Sequence, residues 1–258
     1  MAITWHCTGV SVPGNGHIKR GVPCQDANGW AVLNDFLVLA AADGAGSARY
    51  AEKGSVRAVE GAIDYLVMRG VGDLLGLAGG SREKRYSAVL LQAFRSAHRA
   101  VAQAAALEGA TSRDLATTLL VMVAGPDCAA AGQIGDGAIV YAGQDPGCAM
   151  RATTPLQREH VNETEFLTQA NFLDCVRVGF LDGRVEQLAL LTDGLEPLAI
   201  TYRTQAPLPG FFRGLFEFMK QSTPAAIREQ AVERLLRAPY LAERSDDDKT
   251  LLLASRRA

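Results

Sequence analysis

Strands at both ends of the chain, with helices in two consecutive pairs between them, predict an α+β fold: a sandwich of two sheets with helices packed outside. Three observations carry this. Short apolar segments bounded by turn residues dominate 4–42 and 115–192. Segments with helical spacing come as neighbours, 48–69 with 81–107 and 207–220 with 224–236. Strand and helix do not alternate in the βαβ manner of a parallel sheet.

Residues 4–12 alternate polar and apolar positions and form a first strand. Pro13-Gly14-Asn15-Gly16 has turn composition, and 17–27 is polar, broken by Pro23 and read as irregular. A second strand is expected near 29–33, with Asn34-Asp35 as a hairpin turn. The apolar run 36–42 is too short for a typical helix and ends in Asp43-Gly44-Ala45-Gly46-Ser47. It reads as a buried strand that delivers one carboxylate where the chain leaves the sheet, with glycines that permit a sharp turn. The same pattern recurs at Leu188-Ala189-Leu190-Leu191-Thr192-Asp193-Gly194.

The helix over 48–69 places Val56, Val59, Ile63, Leu66 and Val67 on one face, and 70–80 is a Gly-rich break. Ser81 caps a second helix that runs to about Leu107, with Val89, Leu90, Ala93, Phe94, Ala97, Val101 and Ala104 inward and Gly109 closing it. Segments 117–124, 128–134, 138–142 and 148–153 are short, separated by turn residues, and predict an antiparallel meander. Residues 154–173 read as a loop, and 176–180 and 185–192 as two strands around Leu181-Asp182-Gly183. After the second helix pair, Ser245-Asp246-Asp247-Asp248-Lys249-Thr250 runs into a closing strand from Leu251. With no linker and no further repeat, 1–258 is expected to be one domain.

The 258 residues are 48% hydrophobic and 21% charged, with a net charge of −2, an ordinary balance for a soluble globular protein. That balance gives no electrostatic footprint for nucleic acid or an anionic membrane. No apolar run approaches the roughly 18 residues of a membrane span, and since Met1-Ala2-Ile3-Thr4-Trp5-His6 has no basic start followed by an apolar stretch, no secretory signal is expected. The five cysteines are scattered, with no C-x-x-C pair, which argues against disulfides and structural zinc. A reduced cytoplasm is the expected compartment.

Asp26, Asp43, Asp136, Asp193 and Asp247 each adjoin a predicted strand end or a Gly turn. Carboxylate oxygens suit hard cations such as Mg²⁺ or Mn²⁺. Two such ions about 3.5–4 Å apart can share a water and hold charge on an attacked phosphoryl group. Carboxylates packed together without cations repel unless protonated. A lone Asp-Gly is ordinary turn chemistry, so the weight lies in joint order and flanking sequence.

That order is Gln25-Asp26-Ala27; Ala42-Asp43-Gly44-Ala45-Gly46-Ser47 with Ala51-Glu52-Lys53-Gly54-Ser55; Ala116-Thr117-Thr118-Leu119; Ile134-Gly135-Asp136-Gly137; Leu191-Thr192-Asp193-Gly194; and Asp247-Asp248-Lys249-Thr250. Six motifs in register resemble those of the metal-dependent protein phosphatases, the PPM or type 2C family, across essentially the whole chain. The compact bacterial members, with a stretch like Asn162-Glu163-Thr164, are the nearest likeness.

The resemblance implies a four-layer αββα sandwich, two antiparallel sheets flanked by helix pairs, with two or three Mg²⁺ or Mn²⁺ ions at one end. By it, Asp43 bridges two metals and the Gly44 carbonyl joins one. Asp193 and Asp247 complete the first ion, Asp26 acts on the second, and Asp136 helps hold a third alongside Asp193. The implied reaction is hydrolysis of phosphoserine or phosphothreonine in proteins by a metal-bridged hydroxide, on a phosphoprotein that a Ser/Thr kinase has modified. Two departures stand out. Gln25 occupies a position where many members carry Glu, and the phosphate-gripping Arg is not in its usual register. Arg20 and His17 are the two candidates for that grip, and only a guanidinium can fork onto two phosphate oxygens. These departures leave a second reading open, a catalytically weak or inactive phosphatase-like module that binds a phosphorylated partner. A third reading is another metal-dependent phosphohydrolase acting on a small molecule.

Overall fold

The computed structural model describes residues 4–76, 80–143, 149–151, 164–201 and 203–257. In chain order the elements are β1 (Thr4–Val12), α1 (Asn15–Arg20), β2 (Asp26–Leu33), β3 (Phe36–Asp43), α2 (Ala51–Tyr65), α3 (Val71–Gly76) and α4 (Arg82–Leu107). Then come β4 (Leu119–Ala124), β5 (Cys128–Ile134), β6 (Ala138–Ala142), β7 (Ala149–Arg151), α5 (Phe172–Cys175), β8 (Arg177–Asp182) and β9 (Gln187–Leu191). The chain closes with α6 (Glu196–Ala199), α7 (Pro209–Lys220), α8 (Ala225–Leu236), α9 (Pro239–Ala242) and β10 (Lys249–Arg257).

Two five-stranded sheets form, ordered β1-β10-β9-β6-β7 and β2-β3-β4-β5-β8. All their pairings are antiparallel. The central strands are apolar throughout because both of their faces are buried. In β3, Leu37, Leu39 and Ala41 face the other sheet, while Val38, Ala40 and Ala42 face the helices. β10 does the same from the opposite side, with Leu252 and Ala254 between the sheets and Leu251 and Leu253 outward. Three apolar layers therefore separate four structural ones. α2 and α4 cover the second sheet, and α7 and α8 cover the first. This is the expected αββα sandwich.

Local readings fare unevenly. α4 buries every residue assigned to its inner face, and the Ser81 hydroxyl accepts the Lys84 amide at 3.3 Å. On α2 the expected stripe is displaced. Val56 and Val67 are exposed, whereas Ala51, Gly54, Ser55, Ala58, Gly61 and Ala62 are buried with Val59 and Leu66. The helix turns its small residues inward so that its backbone can approach α4; a Cβ on Gly61 would lie 2.8 Å from that of Ala100. The Gly-rich break expected over 70–80 is helical at its start, because a wide turn (Leu66–Gly70) leads from α2 into α3. The irregular segment after β1 contains α1, which Gly14 makes possible: any Cβ there would run into the backbone of Asp246 and Asp247.

The expected meander is divided. β4 and β5 pair in one sheet, but β6 pairs with β9 and β7 in the other. β8 and β9 are likewise separated, β8 pairing with β5 and β9 with β10. The turns from β5 to β6 and from β8 to β9 do not close hairpins; they carry the chain across the sandwich.

Candidate metal centre

All five candidate acids sit at one end of the sandwich. β2 begins at Asp26 and β3 ends at Asp43, and the two are direct partners in the antiparallel ladder. Asp136 lies in the crossing from β5 to β6, between Gly135 and Gly137, each at φ +87°. Only glycine adopts that backbone freely, so the crossing is tight and its carboxylate is well placed. Asp193 follows β9 at the head of a short 3₁₀ turn, and Asp247 precedes β10.

Carboxylate oxygens of Asp43, Asp136 and Asp193 lie within 4.8 Å of one another. Asp247 is outside this triplet and more exposed, yet close enough to act on the carboxyls of both Asp43 and Asp193. Burial first, then mutual repulsion among the neighbouring acids, pushes Asp193 up to about 8 and Asp43 further. Asp26 rises to about 7 through burial, against the hydrogen bonds of Thr192 and Thr250 that favour its charged form.

The supporting contacts are specific. One oxygen of Asp26 accepts the hydroxyls of Thr192 (2.7 Å) and Thr250 (2.8 Å). The Thr192 hydroxyl in turn accepts the Thr250 amide at 3.0 Å. Asp43 is clamped by its backbone: its amide donates to the Thr118 hydroxyl at 3.0 Å and its carbonyl accepts from Thr117 and Thr118. Gln133 donates to the carbonyls of Gly135 and Gly137, and Arg177 to that of Gly135, fixing the crossing that carries Asp136. Thr164 donates to Asp136 at 3.2 Å. Gly44 continues the ladder, its amide donating to the Gln25 carbonyl, and a Cβ there would strike the Ala51 carbonyl.

The donor set fits a hard divalent cation. Every side-chain donor is a carboxylate oxygen, and two buried acceptors, Asp26 Oδ1 and Gln25 Oε1, have no hydrogen-bond partner among the described residues.

His17 and Arg20 divide. His17 is buried in α1, its Nδ1 2.8 Å from Asp248 Oδ1, and so is not an open loop residue. Arg20 stands exposed in the last turn of the same helix. Asp248, overlooked in the sequence, also accepts the amides of Gly14 (2.7 Å) and Gln25 (2.5 Å). A run of three acids gave no means of telling the structural one from its neighbours. Thr192 and Thr250 were quoted only as motif letters, although a hydroxyl beside each strand end was the available signal. Asn162 and Glu163, expected beside the site, lie outside the described residues.

With this geometry in place, comparison with known proteins is decisive. The family model described as Protein phosphatase 2C matches residues 13–237. The chain belongs to the protein phosphatase 2C family. It is 32% identical over 260 residues to serine/threonine-protein phosphatase 3 of Escherichia coli (strain K12), covering 98% of each chain. Among solved structures, the fold resembles the serine/threonine phosphatase Stp1 from Staphylococcus aureus, with a TM-score of 0.63, 14% identity, and 98% and 95% of the two chains covered. It also resembles the catalytic domain of the serine threonine protein phosphatase PstP in complex with two manganese ions, with a TM-score of 0.56, 16% identity and full coverage of both chains. At these identities the solved structures speak to the fold. No helix among the described residues is long and apolar enough to cross a membrane.

Proposed function

We propose that this type 2C family member is a metal-dependent protein serine/threonine phosphatase, and that the whole chain, 1–258, is one catalytic domain. The observation that carries this is the carboxylate triplet of Asp43, Asp136 and Asp193, with oxygens within 4.8 Å of one another. Two or three Mg²⁺ or Mn²⁺ ions would be held here: Asp43 and the Gly44 carbonyl would serve with Asp193 and Asp247, Asp26 would serve a second ion, and Asp136 with Asp193 would serve a third. Divalent ions so held would acidify a water and neutralise charge on the phosphoryl oxygens.

The protein's own residues supply the rest. Thr192 and Thr250 hold one oxygen of Asp26 and leave the second available to a cation. Thr117 and Thr118 hold the Asp43 backbone in place against the charge around it. Arg20 grips the phosphate as a bidentate donor. Its helix is seated beside the centre by the Gly16 amide, which donates to the Asp246 carbonyl at 3.0 Å. His17 braces that helix through Asp248.

The substrate is a protein phosphorylated on serine or threonine. Cys7, Cys24, Cys128 and Cys175 form no disulfide among the described residues, which fits a reducing cytoplasm. The test is hydrolysis of p-nitrophenyl phosphate with and without Mn²⁺ in the wild type, Asp43→Ala and Asp193→Ala. Metal-dependent turnover that both substitutions abolish supports the reading. Absence of metal-dependent turnover in the wild type refutes it in favour of a binding module, and a preference for nucleotides over phosphopeptides replaces the substrate.

A further inference from the structure

Beside the acid cluster lies a cleft of about 570 Å³ built from three segments: Ser47, residues 113–116, and residues 164–169. It is far larger than a phosphoryl group and within the range of sites that take a small ligand or a few side chains. Resting on the phosphatase reading above, we propose that this cleft is a subsite for the substrate stretch flanking the phosphorylated residue, and that Arg113 selects acidic side chains there.

The first argument is continuity. Thr164 lines the cleft and donates to Asp136, and the Ala116 carbonyl, also in the lining, accepts the Ala45 amide at 2.9 Å just beyond Asp43-Gly44. A phosphorylated side chain at the acid cluster therefore brings its neighbours to this opening.

The second is rigidity. The Leu167 amide donates to the Thr117 carbonyl at 2.8 Å, and the His98 imidazole is bonded to the Leu167 carbonyl at 2.8 Å. Glu165 pairs with Arg177 at 3.5 Å. Each of these anchors the 164–169 wall to a different part of the fold, so that wall is fixed in place.

The third is charge. Arg113 and Asp114 are the ionisable residues in the lining among the described residues. One oxygen of Asp114 already accepts both the amide (2.9 Å) and the hydroxyl (2.7 Å) of Thr111, closing a capping box on the 3₁₀ turn Ser112–Leu115. Those bonds, and the nearby Arg49 and Arg113, hold its carboxyl below the usual range. The Asp114 charge is thus committed locally and offset by Arg49, while the Arg113 side chain is exposed. Half-buried Phe166 adds an apolar wall for the stem of a Glu or the backbone of an extended peptide.

The test uses phosphothreonine peptides identical except for two Glu or two Lys on each side of the phosphothreonine, with the full chain and Mn²⁺. The wild type is expected to favour the acidic peptide in kcat/KM by about two- to fivefold, the scale of one exposed ion pair. R113E is expected to invert that order, and its loss on the acidic peptide to exceed any loss on p-nitrophenyl phosphate. Equal rates on both peptides in the wild type overturn the proposal, as does a uniform fall across all three substrates in R113E. Fluorescence anisotropy of the same peptides on D193N, with and without R113E, separates the two hypotheses. If no substrate shows metal-dependent turnover, the phosphatase reading fails, while the affinity order still decides the subsite. A reversed order supports it, and equal or absent binding overturns it.

Discussion

Asp26 and Asp43 face each other as paired residues of β2 and β3, two carboxylates at the same rung of one ladder. Like charges directly opposite destabilise a strand pair, and here burial removes the solvent that would soften the repulsion. The rung is stable only when a cation or a proton sits between its two acids. Asp43→Asn should therefore act in opposite directions on stability and function. In EDTA at pH 8 its melting temperature should exceed that of the wild type, while metal-dependent hydrolysis should fall at least about 100-fold. Thermal melts and p-nitrophenyl phosphate kinetics check both. A variant that kept wild-type turnover would remove Asp43 from the centre.

The pH dependence of the metal-free protein follows from the same repulsion. Asp26 and Asp193 are raised to about 7 and about 8, against roughly 3.9 for an unfolded Asp. The folded state therefore binds the extra protons, and its advantage is complete below the unfolded value, falls as pH rises above it, and is gone once pH has passed 7 to 8. Melting in EDTA should drop progressively from about pH 4 to about pH 8. Metal binding displaces these protons, so the melting increment from Mn²⁺ should be larger at pH 8 than at pH 5.5. An increment that shrank with rising pH would contradict the assignment of these acids as ligands.

The strand-Asp-Gly pattern of β3 and β9 was legible because a strand buried on both faces is apolar at every position and its first polar residue marks the sheet's edge. α4 was legible because its inner face is made of large side chains at regular spacing. α2 misled because its buried face is small, and Gly54 and Gly61 carry no apolar signal although close packing demands them. Which sheet a strand joins was not readable either. Gly135-Asp136-Gly137 has the composition of a hairpin turn, and only the pairing of β6 with β9 shows it to be a crossing. The clustered acids were visible as motif letters; the hydroxyls that hold Asp26 and the carboxylate of Asp248 bind partners up to 234 positions away, which local pattern does not record.

Thr192 and Thr250 donate to the same oxygen of Asp26. Thr250→Val and Thr192→Val each remove one charge-assisted hydrogen bond, worth about 1.5–3 kcal/mol. Their effect should fall on the metal: the Mn²⁺ concentration for half-maximal activity should rise about tenfold, the scale of lost outer-shell contacts, with little change in KM for p-nitrophenyl phosphate. The double variant should cost less than the sum, since the two hydroxyls share one acceptor. Metal titrations of activity at saturating substrate decide this. A change in KM alone would place these threonines in substrate binding instead.

Asp248 gathers three donors from separate pieces of chain: the Gly14 amide, the His17 ring and the Gln25 amide. It thereby ties α1, the entry to β2 and the start of β10 into one corner. Asp248→Ala leaves those donors buried without a partner, at about 1–3 kcal/mol each, so urea denaturation should show a loss of at least about 3 kcal/mol. Asp248→Asn keeps one oxygen but sets an amide N–H against the donors on the other side, and should fall between. His17→Ala should cost less than Asp248→Ala, and in the double-mutant cycle its effect should largely vanish in the Asp248→Ala background. Because α1 carries Arg20, the Asn variant should also raise KM for phosphopeptide more than it lowers kcat. Loss of stability with an unchanged KM would show that Asp248 holds the corner together without placing Arg20.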